Sequence, residues 1–419
     1  MILTILYDYN KSYKELVFPM ITSTFYNKEK LIIKIKVDSS NSNRAKSNIK
    51  TSYKDCAITM LLVPVKEIGR IMSIYKNSIL KYNPRSFLSL SNNNVNKNIA
   101  TTIKFVDSND FALFNNGVTM LASEAVYSDT TAIKGEDQLL LTNPQIINGG
   151  QTAYTLSQIY EECQKNGDFS VLEEKSVVLK VITLAVSTEE KLGLELIEKI
   201  SKATNYQTPV EINDRISNDE KQIMLQKIIF DKYGYYYERK KGEYAEGITK
   251  NYIYRDLIIE KTEFMRILLS SVGLPNQSRR VSLKVLFSKK NLDKIEISNI
   301  SKYFYAFKCY EYLKKLVSKQ KRNWDNIVYG NALRYGTYAT IYATILVSKE
   351  LDLDNLKNKV DGILNKWQEF ENWIRNREEN HKYFKRVINE DSIVMEMNYS
   401  GYYRGTTINK NLYDFFGSK

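Results

Sequence analysis

The sequence predicts an α/β or α+β N-terminal core followed by a mainly α-helical C-terminal half, and three observations carry that expectation. Short apolar runs with strand periodicity dominate as far as about residue 188. From about residue 189 onward, apolar residues recur every three or four positions. At 419 residues the chain exceeds the size at which a single core usually stops growing, so two or three packed regions are expected. The division that follows is a β-rich region over 1–60, an α/β core over 61–188 and a helical region over 189–419.

The elements follow in order. Lys30 to Val37 alternates as a strand, so the chain is expected to begin with β structure, and Ala57 to Val65 is a second apolar run. Lys66 to Tyr82 has helical spacing, the Asn-rich stretch at 91–94 reads as a loop, and Val95 to Ile103 is a short helix. Strands are expected at Val118 to Leu121, Leu139 to Leu141, Gln145 to Ile147 and Val177 to Leu184, with a helix from Thr152 to Gln164 between the last two. Further helices are expected at Glu190 to Ala203, Asp219 to Tyr233, Tyr254 to Ser271, 297–319, 329–348 and 355–378. The tail from Tyr399 to Lys419, rich in Tyr, Gly and Asn, reads as irregular.

Composition narrows the function classes. Hydrophobic residues make up 43% and charged residues 26%, an ordinary globular balance. No stretch approaches the roughly 18 apolar residues of a spanning helix, so neither secretion nor a membrane anchor is expected and the expected location is cytoplasmic. Three scattered cysteines (Cys56, Cys163, Cys309) and a single histidine cannot assemble the usual zinc sets within one chain, and a lone His381, expected at the surface, argues against Ser-His or Cys-His catalysis. No metal site and no particular cofactor is indicated.

The net charge of +13 is unevenly spread. Between Arg279 and Arg322 there are thirteen Lys and Arg against three acidic residues, interleaved with Tyr303, Phe304, Tyr305 and Phe307. Lysines can hold phosphates while bases stack on aromatics, so Arg279, Arg280, Lys284, Lys314 and Lys315 are candidate nucleic-acid contacts. The competing reading places Phe304, Phe307, Leu313 and Leu316 on a buried helical stripe with the lysines on the solvated face.

Four stretches carry more information than packing requires. They are Asn83-Pro84-Arg85-Ser86-Phe87-Leu88 followed by Val95 to Ile103; Phe111 to Thr119 around Asn115-Asn116-Gly117; Asn143 to Thr152 around Asn148-Gly149-Gly150-Gln151; and Lys202 to Val210, with Tyr236 to Gly242 downstream. In this order, over roughly residues 60 to 245, they resemble the AIPR (abortive infection phage resistance) family. The resemblance implies bacterial antiphage defence, often beside restriction-type genes, and leaves the biochemical step open. A looser similarity links Gly149-Gly150-Gln151-Thr152 and Ala203-Thr204-Asn205 to ParB-like proteins and the Asp-Gly-Gln-His-Arg regulators of DNA sulfur modification. In ParB proteins the corresponding turn and helix bind nucleotide phosphates. Here Asn148 stands where the regulators have Asp, and Thr152 where a basic side chain would meet phosphate.

Asn115, Asn116, Gly117, Asn148, Gly149, Gly150, Gln151, Thr152, Asn205 and Gln207 are therefore expected to converge as a ligand-binding set, with Lys180 or Arg239 supplying charge. Amides and a hydroxyl position a ligand but rarely serve as a general base, which suits binding better than hydrolysis; the alternative is that they tie turns together in the core. Glu173-Glu174-Lys175 is expected to be a solvated loop, and no paired carboxylates with a lysine suggest a nuclease. The leading reading is a defence protein that binds a nucleotide or nucleic acid and couples it to a partner effector or restriction-type protein. The alternatives are a metal-dependent nuclease whose carboxylates meet only in space, or a scaffold that senses a phage protein. Monomer and homodimer are equally compatible with the sequence, and enzymatic activity is left open.

Overall fold

The computed structural model describes residues 8–24, 26, 31–38, 45–51, 54–83, 94–105, 109–128, 136–184, 199–200, 220–320, 328–389 and 392–417. The chain divides into two compact units. One comprises Met1–Val210 with Lys240–Leu257, the other Glu211–Arg239 with Ile258–Lys419.

In the first unit, strands β1 (Ile32–Asp38), β2 (Ala45–Thr51), β3 (Lys54–Pro64), β4 (Val118–Ala122), β5 (Glu124–Ser128), β6 (Glu136–Thr142), β7 (Gln145–Asn148) and β8 (Ser176–Leu184) form two sheets. The smaller has the order β1-β6-β5, and its alternation is clean: Ile33 faces Leu141 and Ile35 faces Leu139, all four buried. The larger has the order β2-β3-β8-β4-β7, antiparallel except for the parallel pair β4 and β8. A helical stretch at 9–22 precedes β1, so the described residues begin with helix rather than with the expected β structure.

Three helices, α1 (Val65–Tyr75), α2 (Asn94–Phe105) and α3 (Gly150–Asn166), share one core with the larger sheet. That core takes Leu61, Val63, Val118, Met120, Leu179 and Val181 from the sheet and Ile68, Ile103, Ala153 and Leu156 from the helices. Period-two burial on the strands meets period-3.6 burial on the helices, which is why both kinds of element were legible. The opposite face of the sheet buries Leu121, Ile147 and Ile182, with Ile58, Tyr82 and Ile200 against them. The smaller sheet is tied to α1 by Glu67, a buried carboxylate that accepts from Lys36 N (3.0 Å) and from Arg70.

The second unit is mainly helical and its core is aromatic. Helices α4 (Glu220–Tyr233), α5 (Lys261–Ser271) and α6 (Ile300–Gln320) bury Phe264, Tyr303, Phe304, Phe307 and Leu313, and Tyr233 stacks on Phe304 with centroids 3.7 Å apart. The aromatic residues of the basic stretch are therefore core, not a stacking platform for bases. The helix expected from Tyr254 begins only at Lys261. Ile258–Glu260 is instead strand β10, paired in parallel with β9 (Tyr236–Glu238), and the Glu260 carboxylate caps α5 by accepting from Thr262 N and Glu263 N at 3.0 and 2.6 Å. The helix expected over 329–348 is interrupted at Gly336 and that over 355–378 at Lys366. Phe384–Asn389 (β11) and Ser392–Met397 (β12) form an antiparallel hairpin.

The tail corrects the sequence reading most clearly. Tyr399–Tyr402 and Thr407–Leu412 are helices, Tyr413–Gly417 is a π turn, and Tyr402, Tyr403, Leu412 and Phe416 are buried. Part of its polar composition is engaged in the core: Asn411 Oδ1 accepts from Asn380 Nδ2 (3.0 Å) and from Tyr402 OH (2.9 Å). No helix of the described residues is long and apolar enough to cross a membrane.

Candidate functional site at a strand, glycine pair and helix

The site grows out of the end of β7. Gln145 opens the strand with its amide engaged on both sides, accepting from Lys81 N at 2.8 Å and donating to Ser78 O at 3.1 Å. The strand runs through buried Ile146 and Ile147 to Asn148, whose Oδ1 accepts from Gly149 N at 2.7 Å. Gly149 then turns in the left-handed region at φ 81°, and α3 begins at Gly150 with no side-chain cap on its first turn. A side chain on Gly149 would stand 2.6 Å from Gly117 O and 2.9 Å from Val118 Cα; one on Gly117 would stand 2.4 Å from Val178 O. These glycines let three backbone segments approach more closely than any Cβ permits.

The expected convergence is partly realised. Asn115 and Thr152 meet, with Asn115 Nδ2 donating to Thr152 Oγ1 at 3.2 Å, while Asn115 Oδ1 accepts from Gly117 N at 2.9 Å. Asn115, Asn148 and Thr152 are thus engaged in holding the turns. Exposed Asn116 and half-buried Gln151 form no side-chain hydrogen bond with another described residue. Two amides without a described hydrogen-bond partner therefore belong to the segments that meet at this uncapped helix start. One turn along α3, burial pushes the Tyr154 phenol up to about 12, assisted by the Glu246 and Glu161 carboxylates, so it stays protonated at neutral pH.

Charge is less well supplied. Lys180 pairs across the sheet with Thr119, which pairs with Asn148, so its Cα lies two strands away, about 10 Å. It also lies on the face carrying Ile182, opposite the one against which α3 packs. Arg239 belongs to the other unit, where its Nε donates to Gln226 Oε1 at 2.7 Å. Asn205 and Gln207, with all of Arg85-Ser86-Phe87-Leu88, lie outside the described residues.

Two supporting residues lie in the singled-out stretches but were not among the expected site residues. Lys240 is buried and its ammonium donates to Lys81 O at 2.6 Å and Leu80 O at 3.4 Å, clamping the turn that leads to Asn83. Asn83, also buried, donates to Ile146 O at 3.5 Å and stands where a Gly150 side chain would meet it. The signal was present in the paired lysines before Gly242, but its partners are more than a hundred residues away in sequence. Lys175 corrects another expectation: although Glu173 and Glu174 are exposed, Lys175 is buried and donates to Ile103 O (2.8 Å) and Val171 O (3.0 Å).

Among the basic candidates, Arg279 is half-buried and donates to Tyr335 O at 2.8 Å, Arg280 and Lys284 are exposed, and Lys314 pairs with Glu263 at 3.1 Å. Lys315 is exposed on α6, as is His381 in its own segment. All three cysteines are free and buried. Among the described residues no group of three or more His, Cys, Asp or Glu is placed to hold a metal ion.

Fold and site together define a two-unit protein: an α/β unit with a strand, glycine-pair and helix junction, and a helical unit with an aromatic core. Residues 80–392 match the AIPR protein family, and the chain belongs to that family of abortive-infection phage-resistance proteins. No curated protein and no solved structure matches the chain.

Proposed function

We propose that this AIPR protein serves phage defence by holding the phosphate of a nucleotide at the junction of β7 and α3 and passing that occupancy to a partner effector. The observation that carries the reading is the start of α3. A helix of 17 residues begins directly from a strand end on a left-handed glycine, with no side-chain cap. Its first-turn N–H groups and the positive end of its dipole, equivalent to roughly half a charge, favour an anion at that point. Gln151 in its first turn and Asn116 in the adjoining turn carry amide groups that no described residue engages. The neutral donor set suits recognition more than hydrolysis, so the response to binding is assigned to a partner, of effector or restriction type, rather than to this chain.

Calorimetry of the full chain against ribonucleoside mono-, di- and triphosphates tests the reading, with Gln151→Ala and Asn116→Ala as variants because neither side chain supports the fold. Saturable binding that weakens on the order of tenfold in Gln151→Ala is the expected result, the loss of one or two hydrogen bonds to a charged group. No heat from any nucleotide at moderate salt, or equal affinity in both variants, refutes it.

A further inference from the structure

The second unit carries a group of arginines that the junction does not involve. Arg279 lies in the last turn of the helix Pro275–Arg280, Arg334 lies in the helix Ala332–Tyr335, and Arg404 follows the helix Tyr399–Tyr402. The first two lie over the same ring, with Arg279 Cζ 4.8 Å and Arg334 Cζ 5.1 Å from the Tyr335 centroid. Arg279 is fixed further by its bond to Tyr335 O, and the Asn409 amide, donating to Asn276 at 2.8 Å, ties the tail to the helix that bears Arg279. Burial, and then the charge of Arg404, lower the Arg279 pKa; the other groups bearing on it are the phenols of Tyr335 and Tyr403, and no carboxylate is among them. None of the three arginines forms an ion pair with a described residue.

Like charges brought together without a counter-charge repel, and the fold bears that cost with one guanidinium half-buried and pre-oriented. An anion relieves it. The chain continues from Arg279 through exposed Arg280, Lys284 and Lys289, likewise without an ion pair to a described residue, so the positive charge extends well beyond one phosphate's width. Guanidinium forks match phosphate oxygens, and a row of single-sign charge with few apolar side chains fits a polyanion better than a protein interface with an apolar centre.

We infer that Arg279 and Arg334, which lie over Tyr335, form together with exposed Arg404 a cradle for the sugar–phosphate backbone of a nucleic acid on the helical unit. The inference is independent of nucleotide binding at Gly149–Gly150. It replaces base stacking, which the buried aromatics cannot provide, with backbone contact insensitive to sequence.

Fluorescence anisotropy of the full chain with labelled DNA and RNA of about 20 nucleotides, single-stranded and duplex, across about 50–200 mM salt tests it. The double variant Arg334→Ala/Arg404→Ala removes two exposed side chains without touching Arg279, Arg280→Ala is a second exposed variant, and Lys357→Ala on the helix Leu356–Asn365 is the control. The wild type is expected to bind with a steep salt slope. The double variant should bind roughly tenfold more weakly, with the log–log slope shallower by about 1.4–1.8, two phosphate contacts' worth. Lys357→Ala should bind as the wild type does. Absence of wild-type binding at the lowest salt, an unchanged slope in the double variant, or equal binding to a labelled polyglutamate peptide overturns the inference.

Discussion

Replacing either member of the glycine pair by alanine separates the two reasons for which it is there. Gly149 sits at φ 81°, where an L side chain costs about 1–2 kcal/mol. Its Cβ would also stand 2.6 Å from Gly117 O and 2.9 Å from Val118 Cα, both backbone atoms in a paired strand region that cannot turn aside. Relief of such an overlap by backbone displacement adds about 1–3 kcal/mol, so Gly149→Ala should lose about 3 kcal/mol. For a unit of this size that corresponds to a Tm lower by roughly 6–12 °C. Gly150 has an ordinary helical φ, and the one tight approach of its Cβ would be to the Asn83 amide nitrogen, at 3.0 Å, with Leu80 Cδ2 in ordinary contact at 3.6 Å. Alanine within a helix gains up to about 1 kcal/mol over glycine, which offsets the shift of Asn83, so Gly150→Ala should stay within about 1 kcal/mol of wild type. Urea denaturation followed by circular dichroism measures both. Equal stability of the two variants, or a Gly149→Ala protein as stable as wild type, would show that the backbone does not pass through the junction as described.

Two further outcomes follow from buried charge. Lys240→Met removes the ammonium that donates to Leu80 O and Lys81 O, and should cost about 2 kcal/mol, read as a lower urea midpoint; an unchanged midpoint counts against the clamp. Glu371 is buried, and burial raises its pKa despite hydrogen bonds from Tyr403 OH and from Asn331 N and Nδ2. Because the folded-state pKa exceeds the unfolded one, its contribution to stability is complete below the unfolded value, about 4.3, and is lost as pH rises through the folded value. Glu371→Gln should therefore flatten the decline in stability between pH about 4.5 and 7, measured as Tm across that range. An identical decline in the variant would place its origin elsewhere.

Periodicity made much of the fold legible. Strands β1, β3, β4, β6, β7 and β8 each bury alternate apolar residues or a continuous apolar run, and α1, α2 and α3 bury residues at helical spacing. The elements that escaped carry little of that signal. Strand β2, Ala-Lys-Ser-Asn-Ile-Lys-Thr, is a polar edge strand defined by its ladder with β3. Strands β9 and β10 are three residues each and exist only as a parallel pair brought together from distant sequence. The tail reads as polar and aromatic, and becomes helical because Tyr402, Tyr403 and Phe416 find places in a core already rich in rings such as Trp367 and Phe370.

The site divides in the same way. The order Asn115-Asn116-Gly117 and Asn148-Gly149-Gly150-Gln151-Thr152 by itself determined that a turn would precede β4 and that a strand would run through glycines into a helix, because φ preference and helix-start chemistry are local. Which amides are engaged and which are not, that Lys180 faces away from α3, that Lys240 clamps the Leu80 turn, and that Arg279 and Arg334 lie over the Tyr335 ring were decided only by the tertiary structure. Those outcomes depend on strand register and on contacts between residues far apart in the chain. No local propensity encodes them, and a slip of one residue in β8 would carry Lys180 to the other face of the sheet.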